Sequence, residues 1–197
     1  MLTACSRRHF LLLTALTLAA LPALGETTGE PSAVQESDVE VDYQDGTYFS
    51  HVRFAAPVSQ ATAWEVLTDF DHMADFVPNL ESSRIVSRSG NVLQVAQKGK
   101  ADFGPFSFRF ESERRLELKP RQDILAKAIS GSAKYMASEM HLRQEGGKTL
   151  FDYRTEMIPD RWIPSSLGVN LLRHEMAEQL SAMVREMVRR SSDRNSR

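Results

Sequence analysis

The sequence predicts an α+β domain in which one curved antiparallel sheet of six to seven strands packs against a single long C-terminal helix. Three observations carry this expectation. After Pro78 the apolar period changes from helical to two. Turn residues then recur at hairpin spacing, as Arg88-Ser89-Gly90-Asn91, Gly131 and Gly146-Gly147. Near the end, Leu172, Met176, Leu180, Met183 and Met187 return to steps of three and four, one face of a helix.

Residues 48–56 alternate and are rich in β-formers, giving a first strand that stops at Pro57. Ser59 suits the N-cap of an amphipathic helix through Ala61, Trp64, Val66 and Leu67, ending near Phe70. Asp71 is placed to cap a second short helix through Met73 and Phe76, which Pro78 ends. Strands follow at 83–87 and 92–97. Phe106, Phe108 and Phe110 alternate with Ser107, Arg109 and Glu111, the clearest half-buried strand. Further strands are expected at 124–129, 134–142 and 150–157. Pro159 and Pro164 bracket a loop carrying Trp162, and the long helix runs from Ser165 or Ser166 to about Arg189.

The start of the chain reads differently. Arg7 and Arg8 precede an apolar run from Phe10 to Leu21, and Ala23 and Gly25 occupy the −3 and −1 positions of a cleavage before Glu26. This is the pattern of a secretory signal peptide of the twin-arginine (Tat) kind, which engages the Tat translocase and exports folded proteins to the periplasm. The run is too short for a spanning helix, which needs about 20 apolar residues. The expected organisation is a signal over 1–25, a flexible leader over 26–40, a folded domain over 41–190 and a disordered tail over 191–197. Cys5, the single cysteine, leaves with the signal, which excludes disulfides, thiolate nucleophiles and cysteine-held metals from the mature domain. Losing Arg7 and Arg8 moves the formal charge from −2 to −4, with 22 basic against 26 acidic residues. A nucleic-acid partner, which would need a basic stripe, is not expected.

The segment Ala63-Trp64-Glu65-Val66-Leu67-Thr68-Asp69-Phe70-Asp71, followed by Phe76-Val77-Pro78-Asn79-Leu80, resembles the first-helix region of the START-like, or SRPBCC, superfamily. There the chain bends after the Asp and closes one mouth of a cavity. The proline-rich entry to the terminal helix agrees, and the resemblance covers about residues 45–190. It implies a helix-grip fold. Members include polyketide cyclases and dehydrases, lipid-transport proteins and coenzyme-Q-binding proteins, so the resemblance bears on fold more than on activity. Relatives often carry Gly-x-Trp in the sixth strand, where this chain has Ser138-Glu139-Met140, an exchange of a rigid indole for an adaptable thioether.

Strand parity then names a lining for the implied cavity. Phe106, Phe108 and Phe110 face inward, beside Ile124, Ala126 and Ala128. Met136, Ser138 and Met140 follow, then Phe151, Tyr153, Thr155 and Met157. The long helix adds Leu172, Met176, Leu180 and Met183 as a lid, and Phe76, Pro78 and Trp162 mark the mouth. A wall this apolar and methionine-rich suits a greasy ligand of variable shape.

Catalytic and metal-binding patterns are sparse. His51 and His141 fall on outward parity, His72 lies in the helix bend, and His174 sits beside Glu175; no two have ligand spacing on one helical face. Asp69, Asp71 and Asp75 cluster at the bend, where caps and solvated turns use carboxylates far more often than catalysis does. Glu175, Gln179, Tyr153 and Thr155 are candidates for a polar contact to a ligand. Arg109, Arg114 and Arg115, interleaved with Glu111, Glu113 and Glu117, read as a mixed solvated strand face. Trp162 is expected to pack as a hinge residue, the alternative being transient contact with a membrane. The expectation is therefore an exported carrier of a hydrophobic small molecule or lipid, with no catalytic residue, cofactor or metal. The rivals are a cyclase or dehydratase working in the same cavity, and a structural partner in an envelope complex.

Overall fold

A computed structural model describes residues 34–196 of this protein. The twin-arginine segment, its cleavage position and Cys5 lie outside the described residues, as do Arg197 and the side chain of Phe106.

The sheet has eight strands, one more than the longest expectation, in the order β1-β2-β8-β7-β6-β5-β4-β3, all antiparallel. The addition is β1 (Val39–Gln44), which pairs with β2 (Thr47–Ala56). Residues 34–40 are therefore not a flexible leader. Val39 and Val41 are buried, Val34 is buried, and Ser181 Oγ donates to the Val34 carbonyl at 3.1 Å. Asp45-Gly46 makes the intervening tight turn with both residues at positive φ, 49° and 87°. Val39, Val41 and Tyr43 alternate with Glu40, Asp42 and Gln44, a period of two that is short and adjoins a polar segment.

Ser59 caps α1 (Gln60–Thr68) as expected, accepting from the Thr62 amide at 3.2 Å. The following helix, Phe70–Asp75, is 3-10. Asp71 does not cap it; its Oδ1 accepts from the Ile85 amide at 2.7 Å, tying the bend to the sheet edge. A meander follows: β3 (Leu80–Ser89), β4 (Val92–Phe103), β5 (Phe106–Lys119), β6 (Asp123–Gly131), β7 (Ala133–Glu145) and β8 (Lys148–Pro159). The β5 strand runs eight residues past the point where the Phe alternation stops, because Leu116 and Leu118 hold the same parity.

The final helix, α2 (Ser165–Asn195), outlasts its apolar stripe, and the expected disordered tail is helical to Asn195. Side-chain pairs hold the last turns. Arg189 donates to Glu186 and Asp193, Arg190 bridges Glu186 and Asp69, and Arg194 reaches Glu65 on α1. The helix packs along β1, β2, α1 and the 3-10 turn Glu36–Asp38, and meets β4 on the opposite side. One apolar cluster lies between α2, α1, β1 and β2; a second lies under Phe70, Met73 and Val77, against Leu93, Val95 and Leu116. The middle of the sheet faces the space between these two cores.

Candidate functional site: a hollow between the long helix and the sheet

Antiparallel partners share a face, so the register decides which side chains look toward α2. In β2 the inward set is Tyr48, Ser50, Val52, Phe54 and Ala56, opposite Met157, Thr155, Tyr153, Phe151 and Thr149 of β8. Across the sheet, Leu93, Val95, Gln97, Gly99 and Ala101 of β4 face Leu116, Arg114, Ser112, Phe110 and Phe108 of β5.

Burial divides the expected lining. Met140, Phe151, Met176 and Leu180 are fully buried in the main core. Phe151 stacks on Phe54, ring centroids 4.5 Å apart, so these residues fill space and do not border it. Phe108, Phe110, Met136, Tyr153, Thr155 and Met157 point inward from the sheet yet stay only half-buried. Leu172, Gln179 and Met183 do the same on α2. Apolar side chains aimed at a helix that remain accessible mean that helix and sheet do not close on each other there. At the expected mouth, Phe76 is half-buried under the Arg190 guanidinium, 5.6 Å from its ring centroid, and Pro78 is exposed. Trp162 is 83 % exposed, so it does not pack as a hinge residue. The two-proline loop holds it clear of both cores.

The hollow also has a polar side that the sequence reading assigned elsewhere. Arg114 is not on a solvated face. It lies opposite Val95 and Ala128 on the inward side, walled in by protein while keeping some accessible surface. Its Nη2 donates to Gln97 Oε1, and its buried Nε–H has no partner. Gln97 is fixed in turn, donating to Ser83 Oγ at 3.0 Å and to Met73 Sδ at 3.3 Å. Burial pulls the Arg114 guanidinium below its usual value, with Tyr153 as the opposing influence. Parity could have found it: carrying the Phe106–Phe110 alternation four residues further puts Arg114 inward. Arg109 and Arg115 do stay on exposed faces, paired with Glu81 and Glu117.

Glu175 is buried on α2. Its Oε2 accepts from Asn79 Nδ2 at 2.6 Å and from Gln179 Nε2 at 3.5 Å, while the buried Oε1 has no partner. Burial pushes this carboxyl up; the Asn79 hydrogen bond opposes that, and Glu178 adds repulsion. A raised folded value means the native state holds the proton more tightly than the unfolded chain does. The ionised carboxylate therefore costs stability above the folded value, and the cost fades as pH falls toward the ordinary carboxylate range. Glu175→Gln keeps an acceptor for Asn79. It is expected to gain about 1 kcal/mol at about pH 8, by removing an uncompensated buried charge, and little at about pH 4. Urea denaturation at both pH values checks this; a difference that did not change with pH would contradict it.

Two members of the Asp cluster are engaged by hydrogen bonds. Asp69 accepts from His72 at 2.7 Å and from Arg190 at 2.8 Å; these hydrogen bonds outweigh burial and hold its carboxyl low. Asp71 is used by the Ile85 amide. His51 and His141 point outward onto Asp152 and Asp123, and His174 donates to Glu36. Among the described residues no group of three or more His, Cys, Asp and Glu is placed to hold a metal, and no helix is long and apolar enough to cross a membrane.

An open groove of about 770 Å³ lies on the other face of the sheet. Its outward-facing walls include His51, Arg115, Glu117, Lys127, Glu139 and Arg154, mostly interleaved opposite charges, as on an ordinary solvated sheet face.

One long helix held against an open antiparallel sheet is the helix-grip arrangement. The chain belongs to the polyketide cyclase/dehydrase and lipid transport family, whose sequence model matches residues 56–193. Among solved structures it is similar to the Zhui aromatase/cyclase of a Streptomyces species, with 15% identity and a TM-score of 0.62 over 73% of this chain and 95% of that one. A START superfamily protein from Mycobacterium smegmatis matches at 13% identity and a TM-score of 0.61, covering 72% and 97%. A STAR-related lipid transfer protein from Xanthomonas axonopodis matches at 10% and 0.61, covering 76% and 98%. Identities this low speak for the fold alone. No curated protein matches the chain.

Proposed function

We propose that this protein is an exported binding or carrier protein for a hydrophobic small molecule or lipid that bears at least one polar group, held between α2 and the sheet. The observation that carries this reading is the set of inward-facing apolar side chains that remain half-buried beside an enclosed Arg114 with an unpartnered Nε–H. An apolar wall with a few convergent polar groups is the usual composition of a small-molecule site. The lining named from sequence narrows, under this proposal, to Phe108, Phe110, Met136, Tyr153, Thr155, Leu172 and Met183. Phe106 belongs to the same alternation. Trp162, exposed at the start of α2, suits transient contact with a membrane surface during exchange. Export through the Tat translocase to the periplasm rests on Arg7, Arg8 and the apolar run that follows them.

A second reading has its own support. Arg114 and Glu175 are two charged groups on the inward side, the first able to stabilise developing negative charge and the second a carboxyl that burial pushes up. That is the minimum a cyclase or dehydratase would need. Native mass spectrometry of the protein recovered from the periplasmic fraction tests the main reading. The expected result is a chain beginning at Glu26 with a bound adduct that organic extraction releases. Absence of any adduct, with no uptake of an apolar fluorescent probe, would overturn the carrier reading. Release of a chemically altered molecule on incubation would favour the enzyme.

A further inference from the structure

We propose that one whole end of the sheet, built from three turns around Trp162, is a docking surface for the interfacial region of a phospholipid bilayer. Among the described residues six large hydrophobic side chains are exposed: Tyr43, Phe49, Val86, Ile129, Tyr135 and Trp162. Five lie at the same end, and Val86, near the β3–β4 turn, lies at the other. Tyr43 and Phe49 flank the β1–β2 turn, Ile129 and Tyr135 flank the β6–β7 turn, and Trp162 follows β8. The register brings these turns together, because the end of β8 pairs with the start of both β2 and β7: Met157 with Tyr48, and Pro159 with Ala133. The Trp162 loop is tied on both sides. The Asp160 amide donates to the Ser132 carbonyl at 3.2 Å, and the Tyr48 hydroxyl donates to the Ile163 carbonyl at 3.4 Å. Tyr43 packs against Tyr48, ring centroids 4.8 Å apart. Ile129 is the extra residue of a β-bulge, since Ala128 pairs with Arg114 and Ser130 with Glu113.

Side chains that stand apart on three turns do not form the close-fitting apolar centre of a protein interface. They suit a fluid surface, where each ring finds its own depth. Trp and Tyr, with an apolar body and a polar edge, concentrate at the headgroup level of a bilayer. The cations fit the same plane. Lys134 is exposed with no ion pair among the described residues, and Arg161, its side chain 88 % exposed, reaches Asp160 only at 4.0 Å. Both can meet lipid phosphates. Asp45 and Asp160 at the same end offset them, so ring insertion drives docking and added salt weakens it little. The half-buried Met136 and Met157, opposite each other in register, are the part of the hollow nearest this end. Docking thus brings the hollow to the bilayer; that a ligand is exchanged there rests on the carrier reading above.

The test uses vesicles of phosphatidylethanolamine and phosphatidylglycerol with protein recovered from the periplasmic fraction. The wild type is expected to float with the vesicles, and brominated phospholipid to quench part of its tryptophan fluorescence. In the triple variant Ile129→Thr, Tyr135→Thr, Trp162→Ser, vesicle affinity is expected to fall about ten-fold or more. All three positions are exposed, so Tm and uptake of diphenylhexatriene from solution are expected to stay unchanged. Val86→Thr, at the opposite end, is expected to bind vesicles like the wild type. A wild type that does not bind vesicles, or a triple variant that binds them equally well, overturns the docking surface. So does a wild-type dimer, seen by sedimentation, that the triple variant loses, since a second copy would then be the occupant. Probe uptake is read separately: its absence from the wild type overturns the carrier reading and leaves vesicle binding to decide the surface.

Discussion

Replacing Arg114 with methionine is expected to weaken retention of a polar-headed ligand about ten-fold or more while leaving the empty protein at least as stable as before. Arg114 is enclosed by protein, its Nε–H has no partner, and its one side-chain hydrogen bond goes to a neutral amide, Gln97. No carboxylate repays the removal of this charge from water, so its presence costs stability in the empty hollow. Methionine has a similar length, no charge and an adaptable stem, and it fits beside Val95 and Ala128. The offsetting loss is the Gln97 acceptor, worth about 1 kcal/mol. Denaturant unfolding and probe titration read the two effects separately. A variant destabilised by more than about 2 kcal/mol would make Arg114 a strut of the core and remove it from the site.

Gly99→Ala is expected to cost about 1–3 kcal/mol and to loosen the polar side of the hollow. Gly99 lies inward on β4, opposite Phe110, and an added Cβ would stand 2.1 Å from the Asn79 carbonyl oxygen and 2.5 Å from Phe110 Cζ. The first obstacle is backbone, already engaged by the Lys100 amide at 3.0 Å, so it cannot swing aside like a side-chain tip. Relief requires moving the loop that carries Asn79, which takes its Nδ2 away from Glu175 and leaves a buried carboxylate with less support. Calorimetry and the pH dependence of stability together check this. A lower Tm with a steeper loss toward alkaline pH is the expected signature. An unchanged Tm would mean that the loop yields freely.

Most of the fold is readable without coordinates, because period and turn chemistry are local. The Phe106–Phe110 alternation, the Gly146-Gly147 turn and the Leu172–Met187 stripe each name their element from a few neighbouring residues. The failures have equally local causes. The alternation of β1 spans only six residues beside a polar segment, and the last turns of α2 are held by Arg–carboxylate pairs whose partners Asp69 and Glu65 are distant in sequence. The site was legible in outline only. Inward parity found Phe108, Met136, Tyr153 and Thr155, but it could not separate residues that border a hollow from residues that fill a core. Met140 and Phe151 share their parity and are packed solid.

Alternation and spacing thus settled the element types and the face each apolar side chain presents, since both follow from backbone geometry within a few residues. Which of those faces stay open depends on where α2 comes to rest. It lies along β1 and β2 and covers β8 and β7 only in part, around Phe151, Met140 and Leu142, a consequence of packing between segments more than a hundred residues apart. The same long-range docking brings Asn79 to Glu175, whereas Ser83 meets Gln97 within the neighbouring β3–β4 pair. Docking of α2 thereby turns a carboxylate that looks like surface polarity in the sequence into a buried, partly unsatisfied group.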